Sequence, residues 1–357
     1  LVWDVIDNKR GILSVDAMSD ERFAGSETVH KLEIRSVLCA PIMANEKVLG
    51  VIHLDGSNPR KPFAKDDMAL LVGIAGQAGL AIANARFHSQ LVSQELMQQD
   101  LALARKIQAR FLPTDPPQMP GWEFWDEYEA ALEVGGDYYD FVDLPDGRMA
   151  VAVGDVSGKG VSGALYMAKL SSDVRYMAAS HTEPSEIIRK VNANIARDIE
   201  EGMFVTLLFL VLDPRTGDLE VVNAGHGAPL LRSAKGELST LEVPRNMPLG
   251  VMEETRFDNA KFRLNGGDVV IAYTDGVTEA MNEKKEEFGM DRFYQVIISA
   301  PGSPGAVGEA VLTAVRNFAG DAPQSDDLTM IAFGPLQDGE SVPLDRRRTA
   351  HDAPSAM

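Results

Sequence analysis

Four aspartates stand where apolar, strand-like runs begin or end. Asp155 follows MAVAV within MAVAVGDVSGKG, Asp275 follows VVIAYT and precedes Gly276, and Asp326, with Asp327 beside it, opens LTMIAF. GGDYYD at 135–140 adds Asp137 and Asp140, just upstream of the strand that leads to Asp155. A single acid at a strand end is ordinarily a turn or cap residue. Several at the ends of central strands of one sheet would lie close together, and carboxylates sharing a low-dielectric site need a counter-charge to stay ionised. No Lys or Arg adjoins Asp155 or Asp275 in the sequence, so a divalent cation is the expected counter-charge. Oxygen ligands without His or Cys favour Mg²⁺ or Mn²⁺ over Zn²⁺ or Cu²⁺, and the 6 His of the chain fall in no ligand spacing. A pair of such ions can clamp a phosphoryl oxygen and activate water.

The loop GDVSGKG at 154–160 invites a phosphate-cradle reading, which its spacing excludes. A nucleotide phosphate loop needs four residues between its glycines and then Lys followed by Ser or Thr. Gly154 and Gly158 enclose three residues, and Lys159 is followed by Gly160. The glycines then serve turn geometry, and Asp155 is the chemical residue. Lys159 is either a phosphate-holding group or a solvated lysine at a helix start. His226 in NAGHGAP is either a proton donor or, the weightier reading, a histidine that stabilises its turn.

The elements that must place these acids alternate. VAVG (151–154), FVTLLFLVLD (204–213), LEVVNAG (219–225), DVVIAYTDG (268–276) and LTMIAF (328–333) read as strands, and residues 161–180, 184–201, 291–299 and 304–319 as helices. Taken alone, that alternation predicts a parallel α/β sheet. Upstream, SVLCAPIM and VLGVIHLDG flank ANEK as a hairpin, and Asp66 marks a helix N-cap region. From there to about Leu112 no proline interrupts the chain; the pattern reads as one long helix or two nearly continuous ones, roughly 70 Å in all. Its second half, SQLVSQELMQQDLALARKIQARF, carries a narrow apolar seam at Val92, Leu96, Leu103, Ile107 and Phe111, as a paired helix does. PTDPPQMPG at 113–121 ends it.

Composition narrows the function classes. The chain has 357 residues, 45% hydrophobic and 24% charged, with a net charge of −19 and no basic stripe. Nucleic-acid binding is therefore not expected. The longest strongly apolar run, MFVTLLFLVL at 203–212, is strand length, so no membrane contact is expected. The one cysteine, Cys39, permits no intrachain disulfide and reads as buried in a protein of a reducing, cytoplasmic compartment. The first residue is Leu1, inside a hydrophobic pattern, which reads as a fragment of something longer.

In their order and spacing, GGDYYD, GDVSGKG, FVTLLFLVLD, NAGHGAPLL, YTDGVTEA and SDDLTMIAF resemble the bacterial metal-dependent serine/threonine phosphatases of the SpoIIE/RsbU type, relatives of protein phosphatase 2C. LARKIQARFLP is similar to the helix that precedes such domains. The resemblance implies an α+β fold, an α-β-β-α sandwich of two packed sheets flanked by helices. It implies two divalent ions, Mn²⁺ or Mg²⁺, bridged by Asp155 and further held by the backbone carbonyl of Val156, Asp275 and Asp326, with Asp137 close by. Asp155, Asp275 and Asp326 are thus the expected catalytic residues. The implied reaction is hydrolysis of phosphoserine or phosphothreonine by metal-activated water, on a phosphoprotein such as an anti-anti-sigma factor. The arginine that holds phosphate in eukaryotic relatives has no clear counterpart. Residues 1–88 resemble the later half of a GAF domain, a sensor module whose front part is missing here. The expected organisation is a partial GAF domain at 1–88, a linker helix at 89–112 that pairs two chains into a homodimer, a phosphatase domain at 113–335 and a disordered tail at 336–357. The rival readings are a catalytically inactive phosphatase-like scaffold and a different output enzyme, a nucleotidyl cyclase or histidine kinase; the latter would need nucleotide-binding motifs, and none is present.

Overall fold

The computed structural model describes residues 2–23, 29 and 31–337; the tail expected at 336–357 lies, from 338 on, outside the described residues. The chain divides into two compact units, Leu1–Asp100 and a second that begins at Leu101.

In the first unit, helix α1 (Val2–Asn8) precedes a three-stranded antiparallel sheet in the order β1 (Ile12–Ser14), β2 (Ser36–Ala44), β3 (Lys47–Gly56). The expected hairpin is β2–β3. Its turn residues Asn45 and Glu46 both have positive φ, 46° and 63°, the geometry a tight hairpin requires. Helix α2 (Lys65–Gln108) is one continuous element of 44 residues. Its start is closed by Asp67, one residue beyond the expected Asp66: the Asp67 carboxylate accepts from the Ala64 amide at 2.8 Å. Leu71 and Ala75 of α2 pack against Leu38 and Ala40 of β2, and Cys39 is buried as expected. An 18-residue window of α2, mean hydropathy 1.6, is long and apolar enough to cross a membrane by length and composition. Its apolar content includes the residues that cover the sheet.

The second unit is a two-sheet sandwich. One sheet has the order β10 (Leu238–Thr240), β9 (Leu230–Arg232), β13 (Val269–Tyr273), β14 (Leu328–Pro335), β4 (Trp122–Glu129). The other runs β11 (Arg245–Asn246), β8 (Asp218–Ala224), β7 (Val205–Leu212), β6 (Met149–Val156), β5 (Asp137–Asp143), with β12 (Asn259–Arg263) paired to β8. Every pairing is antiparallel except β11 with β8, so the parallel sheet that alternation alone predicts does not form. The helices lie outside: α3 (Val161–Ala178) and α4 (Pro184–Asp198) on the larger sheet, α5 (Gly289–Ser299) and α6 (Pro304–Ala319) on the smaller.

The side-chain pattern explains why two sheets form. In β13, Val270 and Ala272 enter the core between the sheets while Val269 and Ile271 face the cluster under α5 and α6. In β14, Ile331 and Phe333 go inward and Leu328, Met330 and Ala332 outward. Alternation of period two with both faces apolar buries such a strand on both sides. The run VTLLFLVL of β7 is buried along nearly its whole length for the same reason. The C-terminal end of α2 enters this unit. The helix stops at Gln108, ahead of the prolines, and Phe111 and Leu112 pack on the sandwich core. Phe111 therefore leaves the exposed seam expected for it.

Candidate active site

The acids meet at one end of the sandwich, but from two sheets rather than one. Asp155 lies in β6 and Asp137 opens β5, directly opposite it in the antiparallel register. Asp275 follows β13 and begins a short 3₁₀ turn, Asp275–Val277, while Asp326 and Asp327 lead into β14. The facing sheets thus bring Asp275 and Asp326 across to Asp155.

Burial grades Asp137, Asp155 and Asp275. Asp137 is buried, with its Oδ2 accepting from the Thr274 hydroxyl at 2.7 Å and the Thr329 hydroxyl at 2.6 Å. Both threonines belong to the smaller sheet, so Asp137 is a tie between the sheets as well as a neighbour of Asp155. Its pKa is held well above the usual carboxylate range by burial, with Asp155 adding repulsion against the lowering effect of the hydroxyls. Asp155 is half-buried; burial first, then the charges of Asp275, Asp326 and Asp327, raise its pKa to about 6, with Lys159 opposing. Asp275 lies at the exposed rim, and the partial burial of its carboxyl, then the charge of Asp326, raise its pKa as well. This mutual elevation is the electrostatic mark of carboxylates gathered without enough positive charge.

Lys159 is the local cation. Its Nζ lies 2.9 Å from Asp326 Oδ2 and 3.2 Å from the Ser325 carbonyl. The pair is exposed, the lysine side chain 63% so, and such pairs are weak and easily exchanged. Lys159 is thus paired with an acid of the cluster while its side chain remains largely exposed. Among the described residues, no three Asp, Glu, His or Cys side chains are already drawn around one point as a metal shell. The donor chemistry nevertheless fits a hard divalent cation: the gathered groups are oxygens and the net charge is negative. The Val156 carbonyl oxygen and Asp155 Oδ1 both face Gly136, where an added Cβ would lie 3.0 Å from the first and 3.7 Å from the second.

Two acids flagged by the sequence do other work. Asp140 is three residues from Asp137, so strand alternation sends it to the opposite face. There it is buried and held by Arg175 of α3, Nε at 2.6 Å and Nη2 at 3.0 Å. Asp327 accepts from the amides of Ala131 at 2.8 Å and Gly136 at 2.6 Å, bracing the loop before β5. Gly158 and Gly160 of GDVSGKG serve turn geometry as expected, with φ of 109° and 76°; Gly154 instead lies within β6, where a Cβ would come 2.7 Å from the Thr206 carbonyl. His226 bridges the sheets. Its Nε2 lies 3.0 Å from the Tyr273 carbonyl, which can only accept, and its Nδ1 2.8 Å from the Thr206 hydroxyl. The imidazole is neutral, its pKa lowered to about 4 by burial. That is the structural reading of His226, not a proton donor's. Sequence reasoning passed over Thr274, Thr329 and Gln108. Thr274 carried a weak signal, as the residue before Asp275 in YTDG; Gln108 carried none.

Comparison with solved structures places this architecture among PP2C-type phosphatase domains. The SiaA-PP2C domain of Pseudomonas aeruginosa matches over 68% of this chain and 98% of its own, with a TM-score of 0.59 at 22% identity. The RsbU and RsbW domains of a Mycobacterium tuberculosis protein match over 62% of this chain and 61% of theirs, with a TM-score of 0.54 at 27% identity. The chain belongs to the SpoIIE family (Stage II sporulation protein E), whose family model matches residues 145–334. Residues 2–82 match the GAF domain model. Among curated proteins, Protein IcfG of Synechocystis is 27% identical over 73% of this chain and 46% of its own length. Phosphoserine phosphatase RsbU of Bacillus subtilis is 24% identical over 53% of this chain and 56% of its own. The chain spans about half the length of these relatives.

Proposed function

We propose that this chain is a metal-dependent protein serine/threonine phosphatase that hydrolyses phosphoserine or phosphothreonine on a partner protein. The observation that carries the reading is the gathering of Asp155, Asp275 and Asp326 from two facing sheets, with Asp155 raised to about 6 by burial and by its neighbours. Asp155, Asp275, Asp326 and the Val156 carbonyl would hold Mn²⁺ or Mg²⁺, with Asp137 beside them. When bound, the ions supply the positive charge that polarises the phosphoryl group and activates water for its hydrolysis. The chain's residues do the rest. Thr274 and Thr329 fix Asp137, Asp327 fixes the loop at Gly136, and the facing sheets set the spacing of the acids before any ligand arrives. Lys159, paired with Asp326, is the cation of the cluster and would assist in holding an incoming phosphate.

The name of the Bacillus relative, a phosphoserine phosphatase, favours phosphoserine, and the resemblance to the SpoIIE/RsbU type favours a small anti-anti-sigma type protein as its carrier. The domain reading is a GAF sensor at 1–88, a linker helix at 89–112 and the phosphatase domain at 113–335, in a cytoplasmic protein that contacts neither membrane nor nucleic acid. Val92, Leu96, Leu103 and Ile107 are exposed on α2, each 42% or more, which favours pairing of two chains along that helix. The decisive experiment is Mn²⁺-dependent hydrolysis of a phosphoserine peptide by wild type and Asp155→Asn. Activity is expected in the first and not in the second, with the circular dichroism of both alike; full activity in D155N would refute the reading.

A further inference from the structure

Gln108, the last residue of α2, is a buried polar side chain with an unusual commitment. Its Nε2 donates to the Gly135 carbonyl at 2.6 Å, and its Oε1 accepts from the Gly135 amide at 3.1 Å. One side-chain amide thus occupies both polar groups of one backbone residue, in the manner of a strand neighbour. Gly135 is the residue where the loop is tightest: a Cβ there would fall 2.4 Å from Asp327 Oδ2 and from the Tyr128 hydroxyl. The next two amides, Gly136 and Asp137, point at the same Asp327 oxygen, at 2.6 Å and 3.4 Å. Asp137 then pairs across the strands with Asp155. Four links through five residues join the helix end to the acid cluster: Gln108, Gly135, Gly136, Asp137, Asp155.

We propose that Gln108 is a positioning residue for the metal-binding acids, and that α2 acts on the site through this amide clamp. The inference rests on the reading of the acid cluster as a divalent-cation site. A buried glutamine needs partners for its amide, and a helix C-terminus alone would supply them from solvent or its own last carbonyls. Here the partners are instead those of a loop 27 residues further on, and they are the amide and carbonyl of Gly135 itself. A displacement or rotation of the helix end moves the carbonyl and amide of Gly135 with it, and the Gly136 and Asp137 amides lose their alignment on Asp327. The same segment is also tied to α3, where the Ser171 hydroxyl donates to the Phe111 carbonyl at 3.1 Å. The Phe111 carbonyl also accepts from Arg175 Nη2 at 3.1 Å, so losing the Ser171 hydroxyl removes one bond outside the loop and leaves the segment held, as a control requires.

The test is calorimetric titration of the full chain with MnCl₂, for wild type, Gln108→Met and Ser171→Ala. Met keeps the volume of Gln and loses both hydrogen bonds. Mn²⁺ affinity is expected to fall about tenfold in Q108M, the scale of two lost neutral hydrogen bonds, and by less than twofold in S171A. In the phosphatase assay, Q108M is expected to recover its kcat at saturating Mn²⁺, which a general loss of folding would not allow. Equal Mn²⁺ affinity in all three proteins, or equal losses in both variants, overturns the inference. Absence of Mn²⁺ binding by wild type overturns instead the reading of the site on which it rests. Hydrogen exchange of wild type alone gives an answer that needs no variant. Because coupling is reciprocal, Mn²⁺ should slow exchange at 105–111 as well as at 131–137. Slowing confined to 131–137 would overturn the clamp.

Discussion

The neutral, buried imidazole of His226 makes stability depend on pH in a direction opposite to that of the acids beside it. Burial lowers its pKa from 6.5 to about 4, while in the unfolded chain it titrates near its ordinary value. Between those two pH values the unfolded state binds the extra proton, so the stability His226 contributes is complete above about pH 6.5 and is lost as pH falls toward about 4. Each unit of pKa difference is worth about 1.4 kcal/mol, so roughly 2–3 kcal/mol should disappear between pH 7.5 and 4.5, a large share of a typical 5–15 kcal/mol. The carboxylates behave in the reverse sense. Asp137, Asp155 and Asp275 have raised pKa values in the fold, and the stability they lose on ionisation returns as pH falls. The wild-type profile alone therefore mixes two trends. Subtracting the profile of His226→Gln, which cannot titrate, removes the carboxylate part common to both proteins. The assay is urea unfolding in EDTA, followed by the fluorescence of the buried Trp122 and Trp125, at both pH values. Wild type should exceed H226Q at pH 7.5, and the difference should shrink by about 2–3 kcal/mol at pH 4.5. A difference that stays constant within about 0.5 kcal/mol would mean that the imidazole is not buried neutral between Thr206 and Tyr273, and the argument would fail.

Three further outcomes follow from the packing. Thr329→Val is isosteric but removes a 2.6 Å hydrogen bond to buried Asp137; it should cost about 1–3 kcal/mol in the same urea assay, and a neutral result would deny Asp137 its role as a tie between the sheets. Gly308→Ala, a change that helps most helices by about 1 kcal/mol, should instead lower the melting temperature, because the new Cβ would meet the Trp125 ring at 2.3 Å. Sedimentation velocity of residues 1–335 should give a dimer that Leu96→Glu with Leu103→Glu converts to monomer; a wild-type monomer at micromolar concentration would refute pairing along α2.

The sequence disclosed those features whose cause is local. The acids were legible because each adjoins an apolar run, and such runs mark strands whatever they pair with. The helices Val161–Ala178 and Pro304–Ala319 were legible because glycine at 160, and Ser303 and Pro304, set their starts. What a strand pairs with is another matter. β4, WEFWDEYE, carries four acids and is not among the strands expected from the sequence, yet it is held by β14, some 200 residues away, in an eight-residue antiparallel register. The division of the strands between two sheets depends on such distant partners, and it was the resemblance to a family, not the alternation of elements, that anticipated the sandwich. The same holds at the site. Asp140 and Asp137 look alike in GGDYYD, and only the pleat separates an inter-sheet tie from a partner of Arg175. Lys159 was visible as a cation but not as the counter-charge of Asp326, 167 residues on. Chemistry that depends on residue type can be read from a chain; chemistry that depends on which loop a side chain reaches, as with Gln108 and Gly135, exists only once the fold has closed.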